Sequence, residues 1–272
     1  MPKNALVSFV YHDAIKYFDS LIDCINSQTM KEFDFIIFND GIIDIEDKFK
    51  KLMMPIKIIN VKSKSLTEIR FKALKMLLNL EYDSYIFQDC DDLMSRNRIE
   101  ESLFLLKSYD LVVNDLDLID ENSNLIQTKV WSNRFEDSNI FNYTHIEEFN
   151  FVGLGNSSIN RRLLKFIPVL PMEDLKAIDW YIFYSILRKS KKQGHFTSEC
   201  CTKYRQHENN TIGIQYNLNI QEILRIKKQQ KRLVGLSTDL FYIDSSDCKL
   251  PEYQIHKYPF WWELKYINNE NN

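Results

Sequence analysis

Strand-like and helix-like patterns alternate along the first third of the chain, and this alternation restricts the folds available to it. Continuous apolar runs at 5–11, 33–38 and 56–61 have the β-branched and aromatic composition of buried strands. Apolar residues between these runs, and again at 66–80, recur at the spacing of one helix face. Alternation of this kind predicts an α/β fold with a mostly parallel sheet covered by helices on both faces.

The next strand-like run ends abruptly in carboxylates. Residues 85–87 are apolar, and Asp89, Asp91 and Asp92 follow within five positions. Because unpaired carboxylates are costly to bury, we expect them at the carboxyl end of the strand, where an open α/β sheet forms its ligand crevice. A divalent cation such as Mg²⁺ or Mn²⁺ would supply their counter-charge. The alternative is an acidic loop that caps a helix starting near Ser95.

Charge and cysteine content exclude several classes of function. The formal net charge of -3 gives no global basic field, so we expect no nucleic-acid partner. The five cysteines show no C-x-x-C spacing, which argues against a disulfide framework or a zinc site and favours reduced thiols in the cytoplasm. We see no secretory pattern and no apolar run of roughly 18 to 20 residues, so we expect a protein that is not integral to a membrane.

The pattern changes in the second half of the chain. The segment 131–155 is irregular and rich in aromatic, Asn and acidic residues, which is typical of a substrate-facing segment. The other predicted elements are a hairpin across 120–124, strands at 157–160 and 196–206, and helices at 175–189 and 215–233. Asp179 falls on the apolar stripe of the 175–189 helix, and a carboxylate on an inner helix face needs either a partner or a function.

Several separated stretches together resemble bacterial family-2 glycosyltransferases of the GT-A fold. These stretches are VSFVYH at 7–12, FNDG at 38–41, the region of Arg70, QDCDD at 88–92, the Ile178-Asp179-Trp180 segment and YRQHENNT at 204–211. The resemblance covers most of residues 5–213. It implies a Rossmann-like, mostly parallel sheet flanked by helices, with a C-terminal helical extension.

The resemblance also implies how the chain is divided. We expect a catalytic domain at 1–213, with a nucleotide-binding half at about 1–115 and an acceptor-binding half at about 116–213. A C-terminal helix and an aromatic tail at 214–272 would pack on this domain. The aromatic tail, which includes Trp261 and Trp262, could instead rest on a membrane surface that presents a lipid-linked acceptor.

In enzymes of this kind a nucleotide-sugar binds at the sheet edge, and a divalent ion bridges the acidic motif to the diphosphate. The sugar then passes to an acceptor hydroxyl with inversion at the anomeric carbon. The resemblance therefore implies Mn²⁺ or Mg²⁺ as cofactor and a nucleotide-sugar donor, with a UDP-sugar as the first choice. It also implies a glycan or lipid-linked glycan acceptor, in surface polysaccharide or lipopolysaccharide synthesis at the inner face of the membrane.

Five residues of the first half acquire roles by this resemblance. Asp40 would accept a hydrogen bond from the nucleobase, although an Asp-Gly turn residue is the alternative. Arg70 would pair with Asp89 or approach the donor phosphates, and an exposed helical arginine is its alternative. Asp89 would contact the ribose or the metal, Asp91 would bind the metal, and Asp92 would be a supporting or acceptor-side acid.

The YRQH stretch supplies the predicted leaving-group contacts. Arg205 offers a fork for phosphate oxygens, and His207 could ligate the metal or donate to the diphosphate. Residues 205 and 207 lie on the same side of a strand. The alternative is an exposed arginine at a strand end followed by a solvated loop histidine. We expect the loop beyond His207 to close over the donor and exclude water.

Asp179 is the predicted general base that takes the acceptor proton. The common family pattern has two successive acids, whereas this chain has Ile178 before Asp179. The upstream pair Glu173 and Asp174 is therefore an alternative source of the base, and a buried structural aspartate is another.

The sugar and acceptor contacts are predicted more loosely. Asn156 and Trp180, together with Asp92, are expected to border the donor sugar or the acceptor.

Two other functions remain open. A sugar-1-phosphate nucleotidyltransferase would need a glycine-rich loop after the first strand, and the sequence at 11–14 has no glycine there. A carbohydrate- or nucleotide-binding scaffold without activity is the non-enzymatic alternative.

Overall fold

A single mixed sheet organises the protein. The computed structural model describes residues 3–63, 65–134, 139–147, 149–172, 174–207 and 220–235. Within them one sheet contains ten strands. Its first half consists of β1 (Asn4–Val10), β2 (Asp34–Asn39), β3 (Ile56–Asn60) and β4 (Ser84–Phe87). These four strands are parallel and lie in the order β3-β2-β1-β4.

The connections between these strands cover both faces of the sheet. They are a 3-10 helix (His12–Tyr17), α1 (Phe18–Asn26), the short α2 (Ile45–Lys48) and α3 (Leu66–Leu78). Along β1, Val7 packs in the apolar cluster that contains α3, whereas Leu6 packs in the cluster that contains α1. This burial on both faces explains why the strands read as continuous apolar runs.

The second half of the sheet mixes strand directions. Its strands are β5 (Leu93–Met94), β6 (Leu111–Ile119), β7 (Leu125–Gln127), β8 (Ile140–Phe141), β9 (Ser157–Asn160) and β10 (Gly194–Arg205). Strand β9 lies between β4 and β6 and is antiparallel to both, whereas β10 is parallel to β6. Six of the ten strands therefore run in the same direction.

The helices of this half are α4 (Arg98–Leu105), a 3-10 helix (Arg161–Phe166), α5 (Ile178–Ser190) and α6 (Ile220–Leu233). The C-terminal helix packs on the domain, because Ile226 and Val234 join the core and Arg188 of α5 donates to the Val234 carbonyl. No helix in the described residues is long and apolar enough to cross a bilayer.

The predicted α/β fold class is confirmed, but one helix begins later than predicted, and this difference affects the site. The helix predicted from residue 175 begins at Ile178. Leu175 is held away from the helix because its backbone N–H donates to Thr67 Oγ1 of α3 at 2.8 Å. Asp179 therefore lies in the first turn of α5. Glu173, the 208–219 segment and the predicted aromatic tail lie outside the described residues.

Candidate active site

A cleft of about 540 Å³ opens where β1, β2 and β4 end. Parallel strands present their carboxyl ends at one edge of a sheet, which is where open α/β sheets bind ligands. Three of the segments lining it follow these strands: Tyr11 and Asp13 after β1, Asp40 after β2 and 89–92 after β4. It is also lined by Gly153, Gly155, Asn156 and the start of α5 with Asp179.

Two side chains contact the same carboxylate oxygen of Asp91. Its Oδ2 accepts a hydrogen bond from the Tyr11 hydroxyl at 2.9 Å and lies 2.9 Å from His207 Nε2. Burial opposes ionisation of Asp91, but these two contacts outweigh burial and lower its pKa. Asp91 is therefore a carboxylate that is kept charged at the edge of the cleft.

The Asp91–His207 pair suits a hard cation with few protein ligands. Within the described residues, no three His, Cys, Asp or Glu side chains are arranged to enclose a metal ion. Mg²⁺ sites of nucleotide-binding enzymes commonly use one or two protein ligands and complete the shell with water and phosphate oxygens. Asp91 Oδ2 and His207 Nε2 lie 2.9 Å apart in a hydrogen bond, and both atoms could become ligands of such a cation if that bond opened.

Arg70 connects two acids of the cleft. Its Nη1 pairs with Asp179 Oδ1, and its Nη2 lies 3.7 Å from Asp89 Oδ1. The Arg70 side chain is only 13% exposed, so the exposed arginine considered from the sequence is wrong. Burial disfavours the cation, but the charges of Asp179 and Asp89 outweigh it and raise the pKa of Arg70.

Asp89 has an unusual ionisation. Burial raises its pKa to about 6, and the charges of Asp91 and Asp179 add to the rise while Arg70 opposes it. The side chain also packs against the backbone of Gly155, where an added Cβ would stand 3.1 Å from Asp89 Cγ and closer still to Oδ2. Gly155 therefore leaves the space that Asp89 occupies.

Asp179 contacts both α3 and the turn at 153–156. Besides its pair with Arg70, its Oδ2 accepts a hydrogen bond from the Leu154 backbone N–H at 2.9 Å. Each carboxylate oxygen has two acceptor sites, so capacity for a further donor remains on Asp179. Asp174, the other described acid near α5, is exposed and does not line the cleft.

Arg205 occupies a different place from the one predicted. It is buried and does not line the cleft. Its Nε donates to the Asp91 carbonyl at 2.6 Å, and its Nη1 donates to the carbonyls of Asp120 and Glu121 at 3.1 and 2.9 Å. The backbone N–H of Arg205 donates to Asp92 Oδ1 at 2.8 Å. The predicted phosphate fork is thus corrected to a buried clamp that ties the acidic loop to the β6–β7 hairpin.

His207 continues this arrangement. Its imidazole and the Arg205 guanidinium both contact the ring of Tyr17. The ring centroids of His207 and Tyr17 are 5.9 Å apart, and Arg205 Cζ lies 4.5 Å from the Tyr17 centroid. Residues 205 and 207 therefore lie on the same side, as predicted, and both side chains face Tyr17 and the acidic loop. The His207 side chain is 5% exposed, so the solvated loop histidine is wrong.

The remaining predicted residues divide between cleft and core. Asp40 is exposed at the rim of the cleft. Asp92 lines it but is almost fully buried, and burial with the charges of Asp91 and Asp89 raises its pKa. Asn156 holds the adjacent turn, since its Oδ1 accepts from the Gly153 N–H at 2.8 Å.

Trp180 does not border the cleft. Its ring is 1% exposed, and its indole N–H donates to the carbonyl of Ile146. The predicted sugar or acceptor contact at this position is therefore corrected to a core residue.

Sequence reasoning missed the polar groups beneath the cleft. Arg98 is fully buried and donates to Asn114 Oδ1, to the Gln88 side chain and to the Phe87 carbonyl. Asn114 in turn donates to Thr202 Oγ1 at 3.0 Å. This network fixes the end of β4, from which the acidic loop starts. An arginine in a short amphipathic helix gives no sign in the sequence that it is buried.

Together, the sheet order and the position of the cleft define a GT-A glycosyltransferase fold. Among similar solved structures is Staphylococcus aureus TarS 1-349 in complex with UDP-GlcNAc, with a TM-score of 0.61 and 16% identity over 87% of this chain and 68% of that chain. A longer TarS structure has a TM-score of 0.58 and 17% identity, with 87% of this chain matching 41% of that one. GalNAc-T7 with UDP, GalNAc and Mn²⁺ has a TM-score of 0.58 and 9% identity over 77% of this chain and 45% of that chain. No family model and no curated protein sequence matches the chain.

Proposed function

We propose that the chain is a glycosyltransferase that moves a sugar from a UDP-sugar to an acceptor hydroxyl with inversion. The observation that carries the proposal is the convergence of Asp40, Asp89, Asp91 and Asp179 on one cleft at the carboxyl ends of parallel strands. TarS and GalNAc-T7, which share the fold, have been crystallised with UDP-GlcNAc and with UDP and Mn²⁺.

The nucleoside binds on the β1–β2 side of the cleft. Phe9 and Phe38 stack there with their ring centroids 5.5 Å apart, and Asp40 stands at the rim. The apolar floor suits a planar base, and the exposed carboxylate can accept a hydrogen bond from a base N–H. Asp89, supported by Arg70, is within the same cleft and takes the ribose or the cation.

Asp91 and His207 would hold the cation, Mn²⁺ or Mg²⁺, while Asp89, the other predicted ligand, lies beside Arg70 in the same cleft. When bound, such a cation offsets the negative charge that develops on the departing diphosphate. Asp91 contributes a charge that is kept ionised, and His207 would contribute a ring nitrogen.

Asp179 is the general base. It lines the same cleft as the acidic loop, so an acceptor hydroxyl bound beside it would reach a sugar held there. Arg70 and the Leu154 N–H fix the orientation of its carboxylate. Proton removal by a group positioned in this way typically accelerates a reaction by about 10²–10⁴-fold.

The acceptor is a glycan or lipid-linked glycan of surface polysaccharide or lipopolysaccharide synthesis. Tyr204 is partly exposed and lines the cleft, and an aromatic ring suits the apolar face of a sugar. Asn156 supports the same cleft by holding the 153–156 turn. Any membrane contact would come from the C-terminal tail, outside the described residues.

Ligand-dependent thermal stability tests the proposal. UDP with Mn²⁺ should raise the melting temperature more than UDP, GDP or dTDP alone, because a ligand stabilises the state that binds it. Asp91→Ala should abolish the Mn²⁺-dependent part of the shift and the transfer activity. The matched control is Asp19→Ala, an exposed acid on α1, which should behave like the wild type. A metal-dependent shift and full activity in Asp91→Ala would contradict the metal assignment, and no shift with any nucleoside diphosphate would contradict the function.

A further inference from the structure

We infer that Tyr11 is a positioning residue of the cation site, whose hydroxyl holds the Asp91 carboxylate in the orientation that binds the cation. The inference rests on the proposed function and deepens it at the same site. It concerns a residue that does not itself bind the cation and to which the sequence motifs assigned no role.

The backbone fixes the position of Tyr11 independently of Asp91. The residue directly follows β1 and caps the 3-10 helix, where the Ala14 N–H donates to the Tyr11 carbonyl at 3.1 Å. Its side chain lines the cleft and reaches across to the acidic loop after β4. The hydroxyl therefore approaches Asp91 from a rigid element on the neighbouring strand.

Tyr11 and His207 approach the same oxygen of Asp91, each at 2.9 Å. Rotation of the carboxylate would break both contacts together. A cation between Asp91 and His207 would replace the contact between those two side chains, and the Tyr11 hydrogen bond would remain to orient Asp91 Oδ2. Hydrogen bonds to coordinating carboxylates have this role in many metal sites.

The Tyr11 hydroxyl is suited to donate a hydrogen bond to Asp91 and not to act as a ligand of the cation. A tyrosine hydroxyl ordinarily loses its proton only near pH 10, at about three units above neutrality. The phenol therefore stays protonated and donates throughout the neutral range. A protonated hydroxyl that donates to Asp91 leaves the carboxylate oxygen one further acceptor site for a cation.

A second tyrosine of the same sheet provides a matched control. Tyr82 is buried, and its hydroxyl donates to Asp34 Oδ2 at 2.6 Å. Neither Tyr82 nor Asp34 lines the cleft. Tyr82→Phe therefore removes the same kind of tyrosine–aspartate hydrogen bond without touching the candidate site.

The test compares Mn²⁺ affinity in the presence of UDP, measured by calorimetry, for the wild type, Tyr11→Phe and Tyr82→Phe. Loss of a hydrogen bond to a metal ligand typically weakens metal affinity by about 10–100-fold, and we expect this loss for Tyr11→Phe only. Affinity for uridine without metal should be unchanged in both variants, because the phenyl ring stays in place.

Each other outcome has a defined meaning. If the wild type binds no Mn²⁺ with UDP, both the metal assignment and this inference fail. If the wild type binds Mn²⁺ and Tyr11→Phe binds it equally well, the inference alone is overturned. An equal loss of uridine affinity would make Tyr11 a nucleoside contact. Failure of Tyr11→Phe to fold, while Tyr82→Phe folds, would make its role structural. Both of these results overturn the inference.

Discussion

Arg70 forms an ion pair with Asp179 and also lies 3.7 Å from Asp89, so one buried guanidinium connects an acid of α5 with an acid of the loop after β4. The sequence separates Arg70 from Asp179 by 109 positions. In the proposed function, this contact links a residue on the donor side to the base on the acceptor side.

Asp179→Asn should lower turnover by at least about 10²-fold while donor affinity stays close to that of the wild type, because the amide keeps the shape of the side chain but cannot take a proton. Initial-rate kinetics and UDP binding separate the two effects. Asp174→Asn, at an exposed acid nearby, is the control and should retain activity. If Asp174→Asn is the inactive variant, the base is misassigned.

Gly155→Ala should weaken UDP binding by roughly tenfold or more, because the new methyl group would displace the Asp89 carboxylate. A loss of this size is about 1.4 kcal/mol of binding free energy. Calorimetric titration with UDP measures it. Gly194→Ala provides a comparison, since its added Cβ would overlap the Phe141 ring away from the cleft. Gly194→Ala should lose stability and keep its UDP affinity. An unchanged UDP affinity in Gly155→Ala would show that the position of Asp89 does not depend on the glycine.

Arg205→Met should reduce the free energy of unfolding by at least about 2 kcal/mol, because it removes several buried hydrogen bonds that the guanidinium donates. Urea denaturation gives the value. Arg162→Met is the control, because this side chain is 65% exposed in its pair with Asp110 and should contribute less than about 1 kcal/mol. Unchanged stability with lost UDP affinity in Arg205→Met would restore the phosphate-binding role predicted from the sequence.

The raised pKa of Asp89 predicts a pH-dependent stability. Between its ordinary pKa of 3.8 and the value of about 6 in the folded protein, the unfolded chain has released this proton while the folded protein retains it. The free energy of unfolding therefore falls as pH rises through this window, by at most about 3 kcal/mol from this group.

Asp89→Asn removes that dependence. Urea denaturation in metal-free buffer should show the variant and the wild type equally stable near pH 4, with the variant more stable by pH 7. Asp19→Asn, at an exposed acid, should follow the wild type throughout. Parallel pH curves for Asp89→Asn and the wild type would contradict the raised pKa.

The alternating pattern of the first half predicted the fold and the acids at the end of β4, because periodicity and strand ends are local properties. The family resemblance added the expectation that Arg70 lies near Asp89, while Asp40 and Asp89 follow strands whose ends meet at one sheet edge. The pairing of Arg70 with Asp179 could not be foreseen, because it depends on how α5 is tied to α3 through Thr67 and Leu175.

Burial explains the predictions that failed. Arg205 was predicted to bind phosphate because it belongs to the YRQH stretch, yet here three backbone carbonyls around it accept its hydrogen bonds. Trp180 was expected beside Asp179 in the cleft. Neighbouring helix positions point about 100° apart, so Asp179 facing the cleft directs Trp180 into the core.

Strand β9 joins the first half of the sheet to the second. It hydrogen-bonds to β4 on one side and to β6 on the other. A fragment ending near residue 115 would carry β4 with an open, apolar edge, and such edges recruit other chains. Truncation at that point should therefore yield an aggregating polypeptide and not a miniature nucleotide-binding module.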